Sequence, residues 1–125
     1  MATVNPLRAP EAALVGVAAL DDGTLIFNTR RDSRKLDNLR LAYRVALVVG
    51  WADGVTLQIE GAAEIADDEA REHYGRVYEE QRPGSRALHE DFVVVSVKPA
   101  WVRVYDTATD PPAVEEASWG PASDP

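Results

Sequence analysis

The sequence predicts a mainly β protein: a small antiparallel barrel with two helices at its ends and flanks, in the order β-β-α-β-β-α-β-β. Three observations carry this. Two Asp-Gly pairs, Asp22-Gly23 and Asp53-Gly54, stand between apolar runs, and tight hairpin turns impose antiparallel pairing. The apolar runs themselves are short and rich in Val, Ile and Leu, as strands are. Only two stretches, 34–42 and 68–81, carry helical spacing behind a capping residue. A chain of 125 residues is one domain and long enough to bury a core without disulfides.

The elements follow in order. Ala12–Leu20 is an apolar run broken by Gly16, and the Asp22-Gly23 turn returns the chain along Thr24–Thr29. After a loop, Arg30–Asp32, Ser33 is a suitable N-cap for a helix Arg34–Ala42, with Leu36, Leu39 and Leu41 on its apolar side. Arg44–Trp51 reads as a buried strand, with Trp51 a core or interface residue. Val55–Ile65 alternates: Val55, Leu57 and Ile59 face one way, Thr56, Gln58 and Glu60 the other, and Gly61 allows a bulge. Asp67 caps a helix Asp68–Gln81 whose Tyr74, Val77 and Tyr78 share a face. Phe92–Val97 is a further buried strand, Lys98-Pro99 a break, and Trp101–Tyr105 the last strand. The domain is expected to span 1–106. Residues 107–125 hold four of the eight prolines and four carboxylates with no Lys or Arg, and predict a mobile acidic tail.

Composition removes several classes of function. The chain has no cysteine, which excludes disulfides, thiol nucleophiles and thiolate metal sites. The two histidines, His73 and His89, have no partner at metal-ligand spacing, so no metal is expected. No apolar run approaches the length that spans a membrane, and no signal peptide is read at the N-terminus. A cytoplasmic protein without a membrane partner is therefore expected. The net charge of −8 disfavours a nucleic-acid partner. Nucleophile-elbow, dinucleotide and P-loop motifs are absent.

Against this acidic background, residues 30–44 hold Arg30, Arg31, Arg34, Lys35, Arg40 and Arg44 against Asp32 and Asp37, a local charge of +4. Such an island is either a solvated helix face or an anion site. The stretch Ser33-Arg34-Lys35 favours the second reading. It opens a helix, where backbone N–H groups lack partners, and adds a hydroxyl and two cations, the donors that a phosphate monoester requires.

The pattern N-T-x-x-x-S-R-K-x-x-N-L from Asn28, then R-V-A-L on the next strand, a hairpin into Q-x-E-G-x-A, and a closing F-V-V-V-S-V-K-P-A-W-V-R-V resembles the pyridoxamine 5′-phosphate oxidase-like family of FMN-binding split barrels. The likeness runs from about Ala12 to Asp106. It implies an antiparallel split β-barrel working as a homodimer, with FMN at the interface serving two-electron transfer on a small-molecule substrate. By the same resemblance, Asn28 and Thr29 lie along the flavin and its ribityl–phosphate arm, and Ser33, Arg34 and Lys35 hold the phosphate. Thr56 or Gln58 reaches the flavin, and Trp101 and Arg103 are further candidates for cofactor contact. No catalytic acid or base is assigned. Two departures bear on the substrate. The strand that carries a basic pair in the family's vitamin-processing enzymes is uncharged here over Ala12–Leu20, and their C-terminal substrate-gripping run has no counterpart. Pyridoxamine phosphate is therefore not the expected substrate. The alternatives are a reductase using the deazaflavin F420 and a non-catalytic flavin- or haem-binding barrel.

Overall fold

The structure is a computed structural model, described here for residues 1–50 and 52–119; Trp51 and residues 120–125, the end of the expected tail, lie outside the described residues. Eight strands form one antiparallel sheet: β1 Ala2–Val4, β2 Pro10–Ala12, β3 Ala18–Ala19, β4 Leu25–Arg30, β5 Arg44–Val49, β6 Val55–Ile65, β7 Phe92–Asp106 and β8 Ala113–Ser118. The helices are α1 Arg34–Leu41 and α2 Asp68–Gln81. The strand order is β2-β1-β5-β6-β7-β4-β3, with β8 also on β7. The architecture is an antiparallel split β-barrel with two helices.

Its spine is the long pair β6–β7, in register from Val55↔Asp106 to Ile65↔Val95. The other edge of β7 is shared. Its first half pairs with β4, from Arg30↔Phe92 to Leu25↔Val97, and its second half with β8, from Trp101↔Ser118 to Asp106↔Ala113. The break expected at Lys98-Pro99 does not occur: β7 runs through it, and the irregularity is a bulge at which the register steps from Glu60↔Trp101 to Gly61↔Pro99. A bulge accommodates a proline because a ladder bond is already missing there. Gly61 is needed opposite it, since a Cβ would stand 2.5 Å from the Lys98 carbonyl oxygen.

Side-chain alternation along β4 and β7 builds two cores. Phe27, Val93, Val95 and Val97 face the barrel interior with Leu36, Val45, Leu47 and Ile59. Ile26 and Val94 face the other way, onto Ala18, Ala66, Tyr78 and Ala87 beneath α2. Burial on both faces is why β7 begins as a continuous apolar run instead of an alternating one.

Three local expectations are corrected. Ala12–Leu20 is not one strand: only Ala18–Ala19 pairs with β4, while Ala12 ends a hairpin between β1 and β2, with Ala2↔Ala12 and Val4↔Pro10. Side chains of α2 and of its C-cap, Arg82, take over the missing ladder bonds. Tyr78 Oη donates to the Gly16 carbonyl (3.2 Å) and Arg82 Nε to that of Val17 (3.0 Å), and Gln81 both accepts from Ala19 N (2.9 Å) and donates to Ala19 O (2.7 Å). The tail is not wholly irregular, since 113–118 forms β8, although all of its side chains are exposed. Asp67 stands at the start of α2, but its side chain makes no capping hydrogen bond. Among the described residues, no helix is long and apolar enough to cross a membrane.

Candidate functional site

The site is built where β4 hands over to α1. Thr29, near the end of β4, is buried, and its hydroxyl donates to Ser33 Oγ at 2.9 Å. Ser33 sits at the N-cap in extended conformation (φ −75, ψ 146), and its Oγ also accepts from Leu36 N at 3.2 Å. Both bonds use the Ser33 oxygen as acceptor, so its own proton remains to be donated elsewhere. The N–H groups of Arg34 and Lys35, in the first turn, precede any intrahelical bond. These groups open onto a cleft of about 420 Å³ lined by Ser33, Arg34, Lys35, Glu11, Thr3 and Met1 among others.

Three of the island's six cations, Arg30, Arg34 and Arg40, stand against carboxylates among the described residues. Arg30 pairs with Asp32 at 3.1 Å, Arg40 approaches Asp37 at 4.0 Å, and Arg31 donates to the Glu90 carbonyl. Within the cleft, Arg34 is bonded to Glu11. The same carboxylate accepts from Asn38 Nδ2 at 2.9 Å and Asn5 Nδ2 at 3.3 Å. The Asn38 bond first, then Asn5 and the Arg34 guanidinium, hold the Glu11 carboxyl below the usual glutamate range. Lys35 makes no ion pair among the described residues and is the cationic side chain left to the cleft.

The remaining candidates lie elsewhere. Asn28 neighbours Thr29 in sequence, but alternation turns it to the opposite face of β4, level with Ile26 and opposite Val94, so it does not join the cleft. Thr56 and Gln58 are on the outer face of β6, because their alternates Leu57 and Ile59 pack inward. Gln58 stands opposite Arg103, Thr56 opposite Tyr105, and Trp101 opposite Glu60. Arg103 approaches Glu116 of β8 at 3.7 Å. Trp101 lines a second depression of about 600 Å³ together with Tyr43, Arg44, Ala46 and Glu60. Thr3 borders both depressions, so the two adjoin across β1. Within one protomer, then, Thr29, Ser33, Arg34 and Lys35 come together, while Asn28, Thr56, Gln58, Trp101 and Arg103 do not meet them.

Sequence reasoning missed Glu11, Asn38 and Thr3. Asn38 stood inside the motif as its last asparagine, which was the one available signal. Glu11, in Pro10-Glu11-Ala12, offered none.

An antiparallel split barrel with hydroxyl, amide and ammonium donors gathered at one helix start defines a class of small barrels built around an anion cradle. Within it, this chain belongs to the pyridoxamine 5′-phosphate oxidase family, whose profile matches residues 1–106. Among solved structures, a conserved hypothetical protein of Mycobacterium tuberculosis is 25% identical, with 98% of this chain and 84% of that one covered and a TM-score of 0.72. A pyridoxamine 5′-phosphate oxidase-related, FMN-binding protein of Nostoc punctiforme is 16% identical, with 96% and 85% covered and a TM-score of 0.66. A haem storage protein of Vibrio cholerae is 14% identical, with 78% of each chain covered and a TM-score of 0.65. The last two likenesses are of fold alone. Comparison with curated protein sequences gives no match.

Proposed function

We propose that the protein is an FMN-binding oxidoreductase that performs a two-electron transfer on a small-molecule substrate, as a cytoplasmic homodimer. The observation that carries this reading is the donor set at the start of α1: the free Ser33 proton, the N–H groups of Arg34 and Lys35, and the Lys35 ammonium, all opening on one cleft. Every member donates, as a phosphate monoester requires.

When bound, FMN supplies a ring that takes up or releases two electrons. The chain's own residues bind and orient. Thr29 fixes the Ser33 hydroxyl by donating to it, which aims the Ser33 proton at the phosphate. Lys35 supplies the charge, and Arg34 adds a second cation that it shares with Glu11. The outer face of β5–β7 supports the dimer. Val48 and Tyr105 are exposed there, beside the depression that Trp101 lines, and apolar groups on a sheet face are covered when a second copy packs on them. That packing also offers a route by which Thr56, Gln58 or Arg103 of one protomer reaches the cradle of its partner.

The test is the absorbance spectrum of the purified protein, followed by titration of the apo form with FMN. Flavin bands and saturable FMN binding are expected. The single band of F420 would replace FMN by its deazaflavin relative, and a Soret band would establish the haem-binding reading, which the fold shared with the Vibrio protein supports. Sedimentation is expected to give twice the 13.6 kDa of the chain; a stable monomer at micromolar concentration would remove the dimer.

A further inference from the structure

The acid in the cradle needs an explanation. A site meant only to attract phosphate gains nothing from a carboxylate, yet Glu11 lines the same cleft as Ser33, Arg34 and Lys35 and is bonded to Arg34. Its position is not accidental rotamer choice. Glu11 stands opposite Thr3 in the β1–β2 hairpin. Behind the pair lies Asn38, which is buried, as is Thr3. The Asn38 amide spends both of its protons, one on Thr3 Oγ1 at 3.0 Å and one on Glu11 Oε1 at 2.9 Å. Asn5 holds the other oxygen, Oε2, at 3.3 Å. A buried amide whose two donors are both engaged fixes what it touches, because swinging away would leave it unpaired. Glu11 is therefore held rigidly, whereas Arg34 is mostly exposed and can swing.

We infer that Glu11 is a specificity-determining residue: a built-in competitor that holds Arg34 in the absence of ligand, so that an incoming phosphate monoester must win the guanidinium from a carboxylate already bonded to it. Asn38 and Thr3 are the positioning residues that keep the competitor in place. This rests on the reading of the cleft as the FMN phosphate cradle. The consequence is a cradle tuned to moderate affinity, in which Lys35 and the helix start bind the phosphate and Arg34 is added only at the expense of its bond to Glu11. The penalty falls on the phosphate alone; a flavin without one feels nothing from Glu11.

Glu11→Gln tests this directly. Glutamine keeps an oxygen to accept from Asn38 but puts an amide nitrogen where Oε2 stood, so it gives up the bond from Asn5 and carries no charge to hold Arg34. Apo-protein is titrated with FMN and with riboflavin for the wild type, Glu11→Gln, Arg34→Ala and the double variant, with thermal melting as a check on folding. The expected result is FMN binding tighter by roughly tenfold or more in Glu11→Gln, the worth of a released charge-assisted hydrogen bond, with riboflavin changed by less than about twofold. In the Arg34→Ala background the gain should shrink to a small residue. Glu11→Ala, which also removes the charge, should shift FMN in the same direction. Unchanged or weaker FMN binding in Glu11→Gln overturns the inference, as does an equal gain for riboflavin, or a full gain that persists without Arg34. Those outcomes leave the FMN reading standing. If neither the wild type nor any variant binds FMN, the cofactor reading itself fails, and the inference with it.

Discussion

Lys35→Ala is the perturbation that separates a phosphate cradle from a solvated helix face. The cleft is lined by two cationic side chains, Arg34 and Lys35, and one carboxylate, Glu11, which is bonded to Arg34. Among the side chains one net positive charge remains, and it is that of Lys35. Removing it leaves the lining side chains with no net charge before a phosphate dianion arrives. The direct loss is one charge-assisted hydrogen bond, about 1.5–3 kcal/mol, or roughly ten- to a hundredfold in FMN affinity. Arg34→Ala should also weaken FMN binding, because it removes a cation and leaves the Glu11 carboxylate unpaired beside the phosphate. Arg40→Ala is the control: its side chain is exposed, and among the described residues its ion pair is with Asp37 at 4.0 Å along the same helix. Since Lys35 has no ion pair among the described residues, stability should move by no more than about 0.5 kcal/mol. Titrating each apo-variant with FMN and with riboflavin, followed by flavin fluorescence, gives the comparison. Riboflavin lacks the phosphate and should bind Lys35→Ala about as well as the wild type. If Lys35→Ala binds FMN within twofold of the wild type, or loses riboflavin equally, the cradle argument is refuted.

Three further outcomes are expected. Gly61→Ala places a Cβ 2.5 Å from the Lys98 carbonyl oxygen, and because the obstacle is backbone, it should destabilise the fold by about 1–3 kcal/mol in urea denaturation; a change below about 0.5 kcal/mol would mean that the bulge is looser than the geometry implies. The Glu11 carboxyl is held below its usual range, by Asn38 first and then by Asn5 and Arg34. Its folded pKa therefore lies below its unfolded one, so its contribution to stability is complete above the unfolded value of about 4.3 and is lost as pH falls through the lower, folded value. Glu11→Gln should flatten that acid limb in urea titrations run across this pH range, and an unaltered acid limb would count against it. Truncation after Asp106 removes β8, whose side chains are all exposed, so the melting temperature should fall by no more than about 5 °C; a fall of more than about 10 °C would make the strand a structural element.

Much of the fold was legible because it is local. The Asp-Gly pairs sit at real turns, with Gly23 at φ 91 and Gly54 at φ 74, values that glycine adopts without a steric penalty. Strand Val55–Ile65 and helix Asp68–Gln81 fall on the residues predicted, because alternation and helical spacing each record which side of an element is buried. Ser33 caps α1 as its position before Arg34 and Leu36 implied. The basic cradle was legible for the same reason: Thr29, Ser33, Arg34 and Lys35 lie within seven consecutive residues.

What the sequence determined by itself was thus the turns, the Ser33 cap, most strands and the cationic half of the site, all set by neighbours a few residues apart. The tertiary structure decided what depends on distant partners. Asn28 and Thr29 are adjacent in sequence, yet the buried faces on either side of β4 send them apart. Ala12–Leu20 is apolar enough for a strand, but outside Ala18–Ala19 its backbone is met by side chains at the end of α2, Tyr78 at Gly16 and the C-cap Arg82 at Val17, instead of a neighbouring ladder. Residues 113–118 bury no side chain and so carry no periodic signal; they become a strand because β7 extends past β4 and leaves an edge to pair with. Glu11 faces Arg34 from 23 residues away only because the β1–β2 hairpin folds against α1. Backbone hydrogen bonds and ion pairs of that range leave no pattern along the chain, since a carboxylate or an unpaired amide looks the same in sequence whatever partner the fold brings to it.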